Sequence, residues 1–216
     1  MAQCTICERI AQDISGALGV CLACIHRQPQ EALEIAARAH RQSRMEFGLP
    51  PVPPDSPEGV SCNICVNRCS MAENEMGYCG LRRNRKGRLV GVSSNSGKLS
   101  WYHDFLPTNC VADWVCPGGT GAGYPKYANR RGAETGFKNL AVFFQACSFN
   151  CLFCQNWHFR NETFTAPLHP VEELVADVDE RTSCICYFGG DPSPQMPFSL
   201  KASKQAREKA TGRILR

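Results

Sequence analysis

The sequence has no long hydrophobic run: none of its 216 residues belongs to an apolar stretch near the roughly 18 residues that span a bilayer. Its first residues, MAQCTICERIAQ, contain neither a basic segment nor an apolar segment of the kind that directs export. We therefore expect no membrane partner and a cytoplasmic location. A phosphate-binding loop is missing too, because no GK[ST] follows the glycines of 118–123 and their spacing does not fit GxGxxG.

Charge is also modest, with a formal net charge of +4. The densest basic run, GLRRNRKGRLV at 80–90, contains Asn84 and Gly87, which indicate an exposed turn. Such a turn is either simply solvated or a patch for RNA or an acidic partner. Because the run decides nothing alone, we do not expect nucleic acid as the main partner.

Cysteine, by contrast, is abundant, with 15 residues. In a reducing compartment, thiols grouped as CxxC are more often metal ligands than disulfide partners, and an odd total argues against a fully paired framework. Two CxxC pairs separated by thirteen residues lie in 1–28, and their spacing is close to that of a zinc ribbon. Because two such turns can complete a tetrahedral four-sulfur site, we expect structural zinc there. The ligands would be Cys4, Cys7, Cys21 and Cys24.

The sequence predicts a helix over 29–47, since Pro29 suits a helix start and apolar residues recur with helical spacing. His40 lies on it, and we expect His40 at the surface. Five prolines in the thirteen residues of 48–60 favour a stiff, extended linker.

A second four-cysteine group opens the segment 61–138, which we interpret as an N-terminal extension of the core. Four thiolates satisfy either one zinc or one iron-sulfur cluster, and spacing alone does not separate the two. The group consists of Cys62, Cys65, Cys69 and Cys79. Further along, Cys110 and Cys116 are either buried structural thiols or ligands of an extra site.

A third group, at 147–154, has only three cysteines within eight positions, and it directly follows NLAVFFQA, a run typical of a buried parallel strand. A cuboidal 4Fe-4S cluster held by three thiolates leaves one iron open to bind a ligand. The alternative is zinc with His158 as fourth ligand. We favour the cluster, with ligands Cys147, Cys151 and Cys154.

The segment 139–216 alternates strand and helix patterns, which predicts an α/β fold with a parallel sheet. Its second strand, SCICYFGG, ends in the turn GGDP, where glycines allow a close approach to a ligand. This turn is either a plain connection into the next helix or a backbone clamp for a polar ligand group. Cys184 and Cys186 alternate along this strand, and we interpret them as buried structure.

The sequence resembles the radical S-adenosylmethionine superfamily in three features: the motif CSFNCLFC, the aromatic Phe153 before its last cysteine, and the turn GGDP one strand later. CQNW and the upstream CNICVNRCSMAENEMGYCGLR are similar to its pyruvate formate-lyase activating enzyme-like branch and to AmmeMemoRadiSam relatives. The resemblance covers about residues 62–216 and implies a βα barrel preceded by the zinc-ribbon-like modules. Because members carry about six βα units and this sequence reaches RILR at its third strand, we expect a partial, truncated barrel, so that the activity of this polypeptide itself is in doubt.

The resemblance also implies a function. Cys147, Cys151 and Cys154 would hold a 4Fe-4S cluster whose open iron binds S-adenosyl-L-methionine, and reductive cleavage would give a 5′-deoxyadenosyl radical that abstracts substrate hydrogen. The S-adenosylmethionine would be contacted by Gly189, Gly190 and Asp191 at its amine and by Phe153 near its adenine, while Gln155, Asn156 and Trp157 would support the loop. The branch implies an activase-like oxidoreductase with a possible protein substrate and a reductant such as ferredoxin or flavodoxin.

Two other interpretations compete with this one. A non-catalytic multi-zinc module would bind RNA or protein through the basic turn, and the same radical chemistry could instead modify tRNA. Neither the substrate nor the electron donor follows from the sequence.

Overall fold

A computed structural model describes residues 1–108 and 112–216, so that the prediction for Cys110 lies outside the described residues. In these two ranges no helix combines the length and the apolar character that crossing a membrane requires. The fold is mixed α/β, with several two-stranded antiparallel sheets and one three-stranded mixed sheet.

The N-terminal module contains an antiparallel pair of short strands and two consecutive helices. These elements are β1 (Ala2–Gln3), β2 (Ile10–Ala11), α1 (Leu22–Arg27) and α2 (Pro29–Met45). Pro29 occupies the first turn of α2, where its missing N–H costs no hydrogen bond. Ala32 and Ile35 of α2 are buried together with Ile14 and Val20 of the module. Helix α2 therefore completes the core of the module.

The proline-rich segment at 48–60 is packed against the fold rather than extended as a spacer. Leu49 is buried, and the N–H of Ser70 donates to the carbonyl of Pro54 at 2.8 Å. Nε of Arg44 on α2 donates to the carbonyl of Pro50 at 2.6 Å. Prolines favour a stiff backbone, but these hydrogen bonds to its carbonyls fold that backbone onto its neighbours.

Short hairpins make up the middle of the chain. Their strands are β3 (Val60–Ser61), β4 (Ser70–Met71), β5 (Arg82–Arg85), β6 (Arg88–Gly91) and β7 (Ser96–Gly97). Lys86 and Gly87 join β5 to β6 with positive φ angles of 52° and 73°, which suits a two-residue hairpin turn. The basic run is not all solvated, because Arg82 is buried and donates to the carbonyl of Pro194 at 2.7 Å.

The second half of the chain builds the main sheet and the helices that cover it. Its elements are β8 (Leu99–Phe105), α3 (Pro117–Thr120), β9 (Lys138–Phe144), α4 (Phe159–Glu162), β10 (His169–Pro170), α5 (Val171–Ala176), β11 (Thr182–Gly189), a 3₁₀ turn (Ser193–Gln195) and α6 (Met196–Lys209). The sheet order is β11-β9-β8. Strand β9 is parallel to β11 and antiparallel to β8, so the sheet is mixed rather than all parallel.

Helices α5 and α6 cover one face of this sheet. Alternate residues of β9 point into that core, and they pack with buried residues of both helices. The core includes Leu140, Val142, Phe144, Val171, Leu174, Phe198 and Ala202. On the opposite face the rings of Tyr102, Phe143 and Phe188 form a row with centroid separations of 5.6 and 5.5 Å.

The chain returns to β11 after α6. The N–H of Arg216 donates to the carbonyl of Ser183 at 3.0 Å, and the N–H of Ile185 donates to the carbonyl of Arg216 at 2.8 Å. The sequence pattern predicts that RILR starts a third strand. These hydrogen bonds pair its last residue with β11, although no strand is formed there. The described residues form no closed barrel, and the barrel stays a prediction.

Candidate functional site

The N-terminal module gathers four sulfur atoms. Those of Cys4, Cys7, Cys21 and Cys24 all lie within 4.8 Å of one another. The sulfurs of Cys7 and Cys21 are 3.7 Å apart, close to the edge of about 3.8 Å that follows from a tetrahedron with Zn–S bonds of about 2.3 Å. This group can hold a metal ion.

The surroundings of these thiols shift their pKa values in different directions. The backbone N–H of Cys7, with that of Cys21, lowers the pKa of Cys4 to about 6, although burial acts in the opposite direction. Burial and the neighbouring thiols raise the pKa of Cys24 to about 12. Because metal ligands must be deprotonated, Cys4 is the thiol more ready, and Cys24 the thiol less ready, to lose its proton to a metal.

The three-cysteine loop begins where β9 ends, at the carboxyl end of the strand. Such strand ends are where α/β proteins bind their ligands. Burial, and then the negative charges of Asp191 and the other two cysteines, raise the pKa of Cys147 to about 11. Within the described part of the chain, Cys147, Cys151 and Cys154 do not form a group with His158 in which all ligand atoms lie within 4.8 Å. Both interpretations of this loop, the cluster and zinc with His158, therefore stay predictions.

The turn after β11 is tied to this loop. The Asp191 carboxylate, 7% exposed, accepts hydrogen bonds from the N–H of Ser148 at 3.1 Å and from its hydroxyl. It also accepts from the N–H of Ser193 at 2.9 Å. The sequence suggested Asp191 as a contact for a ligand amine, whereas here its carboxylate holds the loop between the first two cysteines.

Gly190 allows this close approach. Its φ is +64°, and a Cβ on it would lie 2.4 Å from the carbonyl oxygen of Phe144 and 3.1 Å from that of Ala146. Any side chain would push the turn off the end of β9. GGDP, which begins at the last residue of β11, is thus the turn that packs against the start of the cysteine loop.

The second cysteine group adjoins the same loop. Nδ2 of Asn67 donates to the carbonyl of Ser148 at 3.0 Å, and Cys79 packs in a small core with Ala146. Burial raises the pKa of Cys79 to about 11. Among the described residues, Cys62, Cys65, Cys69 and Cys79 do not form a four-sulfur group as tight as the N-terminal one, so the metal there stays a prediction.

A cavity of about 340 Å³ opens beside the turn and the loop. Gly190 and Asn156 line it with the aromatic residues Tyr102 and Phe143 and with His158. Phe153 does not line this cavity and is 90% exposed, and its contact with an adenine stays a prediction.

Contacts from α2 to the cysteine loop are the part of the site that the sequence did not indicate. Nδ2 of Asn150 lies 3.4 Å from both Nδ1 and the carbonyl oxygen of His40, and the ring of Phe47 lies 6.2 Å from that of Trp157. His40 is half-buried, not the surface residue that its helix position predicts. Only the helical spacing of His40 and Phe47, seven residues apart on one face, could have suggested a partner.

Cys116 and Cys184 lie near Arg216. Burial raises the pKa of Cys184. Both thiols are half-buried, as is Cys186. The interpretation of Cys184 and Cys186 as buried structure, and the two alternatives for Cys116, stay predictions.

Comparisons with known proteins give two relatives from Methanocaldococcus jannaschii. The uncharacterized protein MJ0808 is 26% identical over 164 residues, which cover 69% of this chain and 40% of that protein. The uncharacterized protein MJ0674 is 33% identical over 69 residues, which cover 28% of this chain and 20% of that protein. The matched chain thus spans less than half the length of either relative. No family model and no solved structure matches the chain.

Proposed function

We propose that the chain carries the cofactor-binding part of a radical S-adenosylmethionine enzyme. The observation that carries this proposal is the link between the three-cysteine loop and the GGDP turn. The loop and the turn follow neighbouring parallel strands, and the Asp191 carboxylate joins them through Ser148. A three-thiolate site beside a glycine-rich turn is suited to a cluster with one open coordination position.

The arrangement of the thiols at this loop is compatible with a cluster. Cysteines that ligate different irons of one cluster lie farther apart than cysteines around one zinc ion. Among the described residues, the three thiols are not drawn together to within 4.8 Å, whereas the four N-terminal thiols are. The N–H of Phe149 donates to Sγ of Cys147 at 3.4 Å, as expected for a residue that stabilises a thiolate ligand.

The chemistry that a reduced 4Fe-4S cluster supplies to bound S-adenosylmethionine is one-electron cleavage of its sulfonium. The chain's own residues would bind the cluster and orient the S-adenosylmethionine. Cys147, Cys151 and Cys154 would be the ligands, and the carbonyls at Gly189 and Gly190 would accept hydrogen bonds from the methionyl amine. The cavity beside Gly190 would receive the substrate, which for this branch includes a protein. A reductant such as ferredoxin or flavodoxin would deliver the electron to the cluster.

The N-terminal module would serve this site as a zinc-stabilised support. Its four sulfurs fit a tetrahedral ion, and α2 leads from its core to the cysteine loop. The group at 62–79 would hold either a second zinc or a second cluster.

A second candidate function is a non-catalytic multi-zinc module. One specific observation favours it: the four N-terminal sulfurs already lie within 4.8 Å of one another, as the ligands of a zinc ion do. Such a module would contain zinc and no iron.

Anaerobic reconstitution with iron and sulfide separates the two candidates. We expect a brown protein that absorbs near about 400 nm, with a spectrum that changes when S-adenosylmethionine is added. Replacing Cys147, Cys151 and Cys154 together by Ala should remove about four irons per chain and leave the N-terminal zinc in place. The matched control replaces Cys4 and Cys21 by Ser, which should remove zinc and spare iron. A colourless protein that holds zinc alone would refute the enzyme proposal and favour the module.

A further inference from the structure

Arg160 is a buried cation next to the three-cysteine loop. Only 6% of it is exposed, although it lies in the short helix α4 that follows the last cysteine. A buried guanidinium needs hydrogen-bond acceptors to offset its lost hydration. Among the described residues, the fold supplies acceptors for some N–H groups of Arg160 and leaves another without a partner.

The two terminal nitrogens of Arg160 bridge the loop and helix α2. Nη2 donates to the carbonyl oxygen of Cys151 at 3.1 Å, and Nη1 donates to the hydroxyl of Ser43 at 3.3 Å. The guanidinium also lies 5.6 Å from the ring centroid of Phe47 at the end of α2. A planar, forked side chain can make both bonds at once, which an ammonium does less well.

The third nitrogen of the Arg160 guanidinium, Nε, has no hydrogen-bond partner among the described residues. Its Nε is buried and makes no hydrogen bond to any residue that the structure describes, and the same holds for Oδ1 of Asn150. A buried donor left unpaired costs about 1 to 3 kcal/mol, so it is uncommon away from a site where something else binds. Asn150 directly precedes Cys151 and Arg160 follows it by nine residues, whereas the other two buried unpaired atoms of the described residues, Oδ1 of Asp113 and of Asn139, belong to other parts of the chain.

We propose that Arg160 is a positioning residue that fixes the Cys151 end of the cysteine loop against helix α2 and adds a positive charge beside it. This inference rests on the proposed function, since it concerns a loop that holds iron. Hydrogen bonds and charge next to cluster sulfurs tune the reduction potential of iron-sulfur centres. A cation here favours the more negatively charged, reduced state.

The test compares Arg160→Gln and Arg160→Lys with the parent chain and with Arg207→Gln, a control at an exposed arginine of α6. After reconstitution, we expect Arg160→Gln to lower the apparent affinity for iron about tenfold or more and to shift the midpoint potential downward. Arg160→Lys keeps the charge but not the fork, so it should retain most of the potential and still lose iron more readily. Arg207→Gln should change neither quantity.

A second readout needs no metal at the loop. In the iron-free chain, amide hydrogen exchange of the peptide that covers 147–160 should be faster in Arg160→Gln than in the parent. Ser43→Ala removes only the acceptor on α2, and it should give a smaller increase in the same peptide. If Arg160→Gln does not fold, Arg160→Lys and Ser43→Ala decide the matter by these same measurements.

The outcomes separate this inference from the proposed function. A parent chain that binds no cluster refutes the proposed function, and the exchange comparison then still decides whether Arg160 holds the loop to α2. A parent chain that binds a cluster, with iron affinity, potential and exchange unchanged in Arg160→Gln, overturns the inference alone.

Discussion

Asp191 offers the sharpest test of how the candidate site is held together. Its carboxylate accepts three hydrogen bonds, two of them from the buried Ser148 and one from Ser193. Replacement by Ala leaves both Ser148 donors without an acceptor, while the N–H of Ser193 has partial access to water. Each hydrogen bond to a charged group contributes about 1.5 to 3 kcal/mol. We therefore expect Asp191→Ala to lower the free energy of unfolding by about 3 to 5 kcal/mol.

Asp191→Asn refines the expectation, because the amide keeps one oxygen acceptor but loses the charge. It should cost about half as much as the Ala variant. Urea unfolding of the zinc-loaded chain measures both. With a denaturant dependence of about 2 to 3 kcal/mol per molar, Asp191→Ala should move the midpoint down by about 1 to 2 M.

The control for this experiment is Glu58→Ala, which removes an exposed carboxylate from the segment 48–60. It should change the free energy of unfolding by less than about 0.5 kcal/mol. An Asp191→Ala chain as stable as this control would refute the reasoning, because the link between the turn and the loop would then contribute nothing.

Two further predictions concern the core and the pH dependence of stability. Phe198→Ala should cost about 3 to 5 kcal/mol in denaturant unfolding because Phe198 is fully buried beneath the sheet, whereas Leu200→Ala, at a residue 64% exposed, should stay within about 0.5 kcal/mol of the parent. Burial alone would raise the pKa of Asp179, but hydrogen bonds from Lys138 and Thr182 hold this pKa at about 2. The ionised carboxylate therefore stabilises the fold above about pH 4, and this stabilisation is lost as the pH falls toward 2. The gap in unfolding free energy between the parent and Asp179→Asn should therefore be visible at pH 6 and close near pH 2, and a gap that does not depend on pH would contradict the assignment.

Local patterns predicted the elements around the site well. NLAVFFQA and SCICYFGG are strand-like runs, and they form β9 and β11 next to each other, in parallel. Pro29 correctly indicated where α2 begins. The spacing of the first two CxxC pairs indicated a four-sulfur group, because both ligand pairs come from short turns whose geometry is local.

Contacts between distant parts of the chain could not be predicted from the sequence. Asn150 and Arg160 meet His40 and Ser43 across separations of 110 and 117 residues, and no short pattern encodes such a pairing. The antiparallel partner β8 was not expected beside β9, since the alternating elements favoured a parallel neighbour. The prolines of 48–60 indicated stiffness correctly but not the acceptors that their carbonyls provide for Arg44.

These long separations imply an order of assembly. The N-terminal thiols span only residues 4 to 24, so this group can bind a metal ion as soon as that short piece of chain exists. The three-cysteine loop receives its support from α2 only after more than 100 intervening residues have collapsed, and contacts this distant in sequence form slowly. Under the proposed function, iron supplied before these contacts form would meet a loop that α2 does not yet support, so the timing of iron delivery should affect the yield of loaded protein.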